Sequence, residues 1–177
     1  MNYWFDMDGV IVKYEPSAYK GNDPPYLRKN AHYFASLTPD AKMIEVTKRL
    51  QTELAADDNI YILTSVSPLG ELFAEQVKDK KNWLRTYAPH IDTDTSFFPS
   101  VSNKRDMAAL LTCSVDTLSK YDILIDDYNK NLELWREYGG TAVKYLNGIN
   151  SPHSWSGHKL MPDISADEIV KYLLDLK

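Results

Sequence analysis

Asp6 and Asp8 stand two residues apart at the end of an apolar run, Tyr3-Trp4-Phe5-Asp6-Met7-Asp8-Gly9-Val10. Side chains alternate with period two along extended backbone, so this spacing lets both carboxylates share one side of a strand end. Two acids there repel each other unless something uses them, and a divalent cation is the simplest user. Three further segments extend the inventory: Thr64-Ser65 behind Ile60-Tyr61-Ile62-Leu63, Lys104 behind Asn103, and Asp126-Asp127 behind Ile123-Leu124-Ile125. Carboxylates offer hard oxygen ligands to Mg²⁺, which keeps waters for a phosphate to displace. A lysine and a hydroxyl group beside the metal neutralise and orient phosphoryl oxygens. One carboxylate can attack phosphorus, and a second can protonate the leaving oxygen and then deprotonate water. This is phosphoryl transfer by positioning and electrostatics. The plain alternative for the first pair is a strand that ends in an ordinary Asp-Gly turn. The three downstream segments favour the chemical reading.

Elements must bring these residues together. The 177 residues suffice for one domain with a real core and a small insertion. The first strand spans roughly residues 2–6, and Val10-Ile11-Val12 extends it past a turn. Residues 13–37 are rich in turn formers and aromatics (Tyr14, Pro16, Tyr19, Pro24, Pro25, Tyr26, Tyr33) and read as a lid inserted after that strand. Its basic residues Lys13, Lys20, Arg28 and Lys29 either meet an anionic substrate or form a solvated face. Thr38-Pro39-Asp40 predicts a helix start with Thr38 as the cap, and Met43, Val46, Leu50 and Leu54 give its buried face. A buried strand at 60–63 follows, then a helix with Leu69, Leu72, Phe73 and Val77 on one face and Trp83 and Leu84 further on.

A third strand is expected over 95–101, followed by a helix capped by Asn103. The strand at 121–125 runs into Asp126-Asp127. The next helix takes Asn129 or Asn131 as its cap, buries Leu132, Trp135 and Tyr138, and closes at Gly139-Gly140 in a left-handed C-cap. A strand at 141–146 and a polar loop over 147–162 precede the capping box Ser165-Ala166-Asp167-Glu168, which starts a last helix burying Ile169, Leu173 and Leu176. Apolar strands alternating with helices predict an α/β fold: a doubly wound, mainly parallel sheet with helices on both faces. Ligands bind outside the carboxyl ends of such strands, where all the polar signals fall.

Bulk properties narrow the function classes. A net charge of −5 argues against an extended nucleic-acid-binding surface. The single cysteine, Cys113, excludes an internal disulfide and a cysteine-based zinc site, and reads as a core thiol in a reducing compartment. No stretch is long and apolar enough for a membrane span, and no signal-peptide pattern precedes the first strand. The expected location is cytoplasmic, with no membrane partner.

In order along the chain, Asp6-Met7-Asp8-Gly9-Val10, Ile62-Leu63-Thr64-Ser65, Asn103-Lys104 and Leu124-Ile125-Asp126-Asp127 resemble the four motifs of the haloacid dehalogenase-like (HAD) hydrolase superfamily. Within it, the Asp-Met-Asp-Gly-Val, Ile-Leu-Thr-Ser and Ile-Asp-Asp forms are most similar to the 5'(3')-deoxyribonucleotidases. The resemblance covers residues 3–127. It implies that Asp6 is the nucleophile and that Asp8 is the general acid and base, with its backbone carbonyl on Mg²⁺. It implies that Thr64 holds phosphoryl oxygens, with Ser65 able to replace it in part, and that Lys104 neutralises charge. Asp126 and Asp127 complete the metal site, with Asp127 the favoured direct ligand, and backbone N–H groups after Asp6 and Thr64 complete the phosphate cradle. The order of the acids, with Asp126-Asp127 last, fits a hydrolase better than a receiver domain, and the presence of Asp8 favours hydrolysis.

The resemblance implies a Mg²⁺-dependent phosphomonoesterase for a small phosphorylated substrate, a nucleoside monophosphate first among them. One departure matters: the insertion over 13–37 is shorter than the deoxyribonucleotidase cap. It admits a bulkier ester, or leaves closure to a second subunit in a homodimer. A phosphatase for a sugar phosphate or a polynucleotide end is therefore the alternative within the same chemistry. A regulatory or binding domain that keeps the fold without turnover is the alternative outside it. His153, Trp155 and His158 lie in the 147–162 loop, with contact to substrate weighed above zinc binding.

Overall fold

The computed structural model describes residues 1–13, 32–99, 117–150 and 155–176. Its strands are β1 (Asn2–Phe5), β2 (Asn59–Ile62), β3 (Asp122–Asp126), β4 (Thr141–Tyr145) and β5 (His158–Leu160). They form one sheet in the order β2-β1-β3-β4-β5, and every pairing is parallel. Among the described residues, four α-helices accompany them: α1 (Ala41–Glu53), α2 (Gly70–Tyr87), α3 (Asn129–Glu137) and α4 (Ala166–Leu174). No helix among the described residues is long and apolar enough to cross a membrane.

Period-two alternation sorts the core onto the two faces of the sheet. Tyr3, Phe5, Ile123, Ile125, Val143 and Tyr145 pack with Met43, Val46 and Leu50 of α1, Trp83 and Leu84 of α2, and Ile169, Val170 and Leu173 of α4. Trp4, Leu124 and Ala142 face the other way, onto Leu132 and Trp135 of α3. This is the expected doubly wound α/β arrangement.

Trp135 ties the second face together. Its ring lies 5.9 Å from that of Trp4, edge to face, and its indole N–H donates to the Asp122 carbonyl at 2.8 Å. Gly139, at φ +93°, ends α3 in the expected left-handed turn. Trp135→Ala is expected to cost about 3–5 kcal/mol, the range for removing a buried tryptophan. Chemical denaturation checks this, and a loss well below that range would mean the second face is not a packed core.

Several local expectations are corrected. Asp40, not Thr38, caps α1: its carboxylate accepts from the N–H groups of Lys42 and Met43 at 3.1 Å each, an ionised acceptor at the positive helix end. Residues 95–99 form no regular strand. Phe97 alone bridges Leu63, and Pro99 accepts from the Val66 N–H but has no N–H to donate back. β2 is an edge strand with Ile60 and Tyr61 half-buried, not a fully buried one. Val10-Ile11-Val12 leaves the sheet, with Val12 bridging Asp8 and Pro39.

The fifth strand of the sheet is β5, inside the supposed loop. It is short, and His158 and Lys159 are exposed, so it leaves no apolar run to read. Val170 joins Ile169 and Leu173 in the core, while Leu176 is half-buried.

The face of α2 is the largest correction. Leu69 and Phe73 are exposed, at 52% and 37%, while Gln76, Asp79 and Lys80 turn inward with Trp83 and Leu84. The first half of the helix meets the polar loop after β2, not the apolar sheet. The expected insertion over 13–37 lies mostly outside the described residues, as do Lys104, Cys113, His153 and the helix expected from Asn103.

Candidate active site

The parallel register brings the chemical groups to one edge. Phe5 pairs with Ile62 on one side and Ile125 on the other, so the residues that follow each strand sit level. The ladder continues past the strand ends: the Asp6 N–H donates to the Ile125 carbonyl and the Leu63 N–H to the Phe5 carbonyl, both at 2.9 Å. Asp6, Asp126 and Asp127 meet there. Each offers one carboxylate oxygen, these lie within 4.8 Å of one another, and all three residues are buried.

A set of buried, all-oxygen donors suits Mg²⁺, whereas three uncompensated carboxylates in that space would repel strongly. The neighbourhood answers part of that charge. Lys144, fully buried and paired in register with Asp126, donates to the Asn129 side chain. Burial pushes the Lys144 ammonium below the usual lysine range, and the charges of Asp127 and Asp126 oppose that shift.

Both acids of the Asp126-Asp127 pair are oriented by amides. Asp126 accepts from the Tyr128 N–H at 2.8 Å and from the Asn131 side chain at 2.9 Å. Asn131 therefore serves the acid cluster and Asn129 accepts from Lys144, while Tyr128 occupies the cap position of α3 with no side-chain bond, contrary to the expected asparagine cap. One oxygen of Asp127, Oδ2, accepts from Asn147 at 2.7 Å and Asn150 at 2.9 Å. Asn147 also donates to the Gly9 carbonyl at 2.7 Å, which fastens the turn after Asp8 to the metal-ligand candidate.

Asp8 stands apart from the three clustered acids. Its Oδ2 accepts from Lys80 Nζ at 2.5 Å and from the Thr64 hydroxyl at 3.4 Å. Its Oδ1 is buried and has no hydrogen-bond partner among the described residues. Lys80 also donates to Thr64 Oγ1 at 2.6 Å and to the Ser65 carbonyl at 2.9 Å. Ser65 thus enters through its backbone.

The expected cradle is partly occupied by the protein itself. The Met7 N–H donates to Asp6 Oδ1 at 2.8 Å, Thr64 N–H to the Phe97 carbonyl at 3.0 Å, and Val66 N–H to the Pro99 carbonyl at 3.0 Å.

Of the residues singled out in the sequence, Asp6, Asp126 and Asp127 converge, and Asp8 and Thr64 converge beside Lys80. Trp155 and His158 do not join them. Trp155 is a core residue whose indole donates to the His158 carbonyl at 2.9 Å, and the His158 ring meets the Tyr172 hydroxyl at 2.7 Å. Sequence reading missed Lys80, Asn131, Asn147 and Lys144. The usable signal for Lys80 was its i, i+4 relation to Gln76 and its i, i+3 relation to Trp83, one helical face that mixes polar and aromatic residues.

No protein-family model matches the sequence, and no curated protein does. Solved structures do. The chain is similar to D,D-heptose 1,7-bisphosphate phosphatase from B. bronchiseptica, a structure complexed with magnesium and phosphate. That match has a TM-score of 0.69 and 14% identity, and covers 99% of each chain. A protein of Mesorhizobium loti assigned as a HAD-like phosphatase matches with a TM-score of 0.60 and 11% identity, over 98% of this chain and 86% of that one. A HAD-superfamily hydrolase from Ehrlichia chaffeensis matches with a TM-score of 0.54 and 12% identity, over 98% and 96%. The sheet order and helix placement described above are the HAD-like fold.

Proposed function

We propose that this chain is a phosphomonoesterase of the HAD type that works through an aspartyl phosphate on Asp6, with a nucleoside monophosphate as its substrate. The observation that carries the reading is the division of the acids at one sheet edge: Asp6 clusters with Asp126 and Asp127, while Asp8 is held apart by Lys80 and Thr64. Attack and proton transfer need different carboxylates, and these two are engaged differently. The fold shared with phosphatases supports the class.

Asp6, Asp126, Asp127 and the Asp8 carbonyl would hold Mg²⁺, which when bound supplies charge neutralisation and orientation of the phosphoryl oxygens. An Asp6 carboxylate oxygen attacks phosphorus in line, and the bond from phosphorus to the ester oxygen breaks. Asp8 gives its proton to that oxygen. It then takes a proton from water as the water attacks the aspartyl phosphate, which frees inorganic phosphate and restores Asp6. Thr64 orients phosphoryl oxygens, and Lys104 is assigned the charge neutralisation that its motif implies. The motif forms around Asp6, Thr64 and Asp126 support the nucleotide substrate.

A sugar phosphate is the second reading. The heptose bisphosphate phosphatase and this chain cover each other over 99% of their lengths, and the insertion over 13–37 is short. Purified protein with Mg²⁺ should release phosphate fastest from deoxynucleoside monophosphates in a panel that also holds ribonucleotides, sugar phosphates and end-phosphorylated oligonucleotides. A clear preference for sugar phosphates would replace the nucleotide reading. No release from any ester would leave a binding domain with this fold.

A further inference from the structure

An ammonium group has three N–H donors. Those of Lys80 meet Asp8 Oδ2 at 2.5 Å, Thr64 Oγ1 at 2.6 Å and the Ser65 carbonyl at 2.9 Å. The ring of Phe34, itself buried, lies over the same ammonium with its centroid 4.2 Å away. Lys80 is fully buried, so it is a cation with protein on every side and no donor left over for a ligand. That arrangement is unlike a phosphate-binding lysine, whose donors must be open to the substrate.

The rest of α2 is built for the same purpose. Gln76, one turn earlier on the same face, accepts from the Ser67 N–H at 2.7 Å. A helix that would ordinarily bury an apolar stripe here buries polar side chains instead, and both of these fasten the loop over 64–67.

The consequence for Asp8 is an asymmetry between its two oxygens. Oδ2 carries Lys80 and the Thr64 hydroxyl, while Oδ1 is buried without a partner among the described residues. The geometry points to Lys80 as the positioning residue of Asp8: it fixes the carboxylate through Oδ2, and so sets the direction in which the carboxyl group gives and takes its proton, while Phe34 seals the ammonium from solvent. This rests on the phosphomonoesterase reading above.

In the first step an Asp6 oxygen bonds to phosphorus as the bond from phosphorus to the ester oxygen breaks, and that oxygen takes the proton of the Asp8 carboxyl group. In the second, water bonds to phosphorus as the bond from phosphorus to Asp6 breaks, and the Asp8 carboxylate takes the proton of the water. Phe34 belongs to the return of the 13–37 insertion, and Trp83 of α2 donates to the Leu37 carbonyl on that return at 2.7 Å. The described end of that insertion therefore packs on the residue that holds the general acid.

A positioning residue for the general acid acts on leaving groups that need a proton. The test compares kcat/KM, which reports the steps through phosphoryl transfer, for an alkyl phosphate monoester and for p-nitrophenyl phosphate. The 177-residue chain is used with Mg²⁺ present. Lys80→Met is expected to lower kcat/KM for the alkyl ester about 100-fold, within the usual contribution of a general acid. The loss on p-nitrophenyl phosphate, whose leaving group needs no proton, should be at least about 10-fold smaller, and the part common to both esters reports the bond from Lys80 to Thr64. Lys80→Arg, which keeps a donor toward Asp8, should recover part of the alkyl ester activity.

Phe34→Leu, a milder change that keeps the core filled, should shift the ratio in the same direction by about 10-fold, a fraction of the same general-acid contribution. It decides the matter if Lys80→Met does not fold. Equal losses on both esters would make Lys80 a phosphate-binding or purely structural cation and overturn the assignment, as would an unchanged ratio in both variants. If the unaltered protein hydrolyses neither ester, the phosphomonoesterase reading itself fails, and the assignment with it.

Discussion

Asp6→Asn is expected to remove phosphate release entirely, a loss of about 10⁵-fold or more, the scale set by deleting a covalent nucleophile. The substitution keeps the size and shape of the side chain but replaces an anionic oxygen with an amide nitrogen, which does not attack phosphorus. It also takes one charge from the set that Asp6, Asp126 and Asp127 form, so Mg²⁺ affinity should fall with it. The fold should survive. The ladder bond from the Asp6 N–H to the Ile125 carbonyl is made by the backbone, and removing one of three crowded carboxylates relieves repulsion. Circular dichroism and a phosphate-release assay on the same preparation separate the two effects. Residual turnover near the unaltered rate would exclude Asp6 as the nucleophile.

Gly9→Ala is expected to cripple metal binding although it replaces none of the side chains proposed as ligands. Gly9 holds φ at +90°, where a side chain is strained. A Cβ there would lie 2.4 Å from Asp127 Oδ2, 2.8 Å from Asp127 Cγ and 2.9 Å from the Asn147 side-chain nitrogen. The contacting atoms are side-chain tips, but Asn147 and Asn150 hold that same carboxylate oxygen, so relief of the clash breaks those bonds. Asp127 must therefore shift off the position it shares with Asp6 and Asp126. Backbone strain should cost about 1–3 kcal/mol of stability. Displacement of one ligand should weaken Mg²⁺ binding by at least about 10-fold, which is roughly 1.4 kcal/mol. Thermal melts with and without Mg²⁺, beside calorimetric titration, read both. Unchanged metal affinity would mean that Asp127 is not a ligand.

These results bear on how much of the site could be read from residues alone. The acids were legible because their sequence context is local: each follows an apolar run, and in a parallel sheet such runs end at one edge. Asp6, Asp126 and Asp127 needed only that rule to be brought together, and the same rule sets Asp8 beside Thr64. Lys80 was hidden because the rule for helices looks for an apolar stripe. Leu69, Leu72, Phe73 and Val77 supplied a convincing one, yet Leu69 and Phe73 are exposed and the polar side of the helix is buried.

Periodicity reports a face, not what the face meets. In this case it meets a loop of backbone carbonyls and hydroxyls. Asn147 and Asn150 were hidden for a related reason. An asparagine after a strand is an ordinary turn residue, and only the register of β4 beside β3 sets these amides against Asp127. β5 escaped notice because a short edge strand with two exposed residues has no hydrophobic signature. The expected strand over 95–101 erred the other way: Phe97-Phe98 is apolar, but Pro99 limits pairing and one bridge is all that forms among the described residues.

The most direct measurement is the fate of the phosphoryl group. Protein loaded with Mg²⁺ is mixed with its best phosphate ester and quenched in acid during turnover. It is then digested at low pH, where an acyl phosphate survives, and mapped by mass spectrometry. The peptide that holds Asp6 should carry the phosphoryl mass, the label should sit on Asp6, and it should disappear when substrate is exhausted. Turnover with no phosphorylated peptide, or with the label on another residue, would contradict the assignment of Asp6 as the nucleophile.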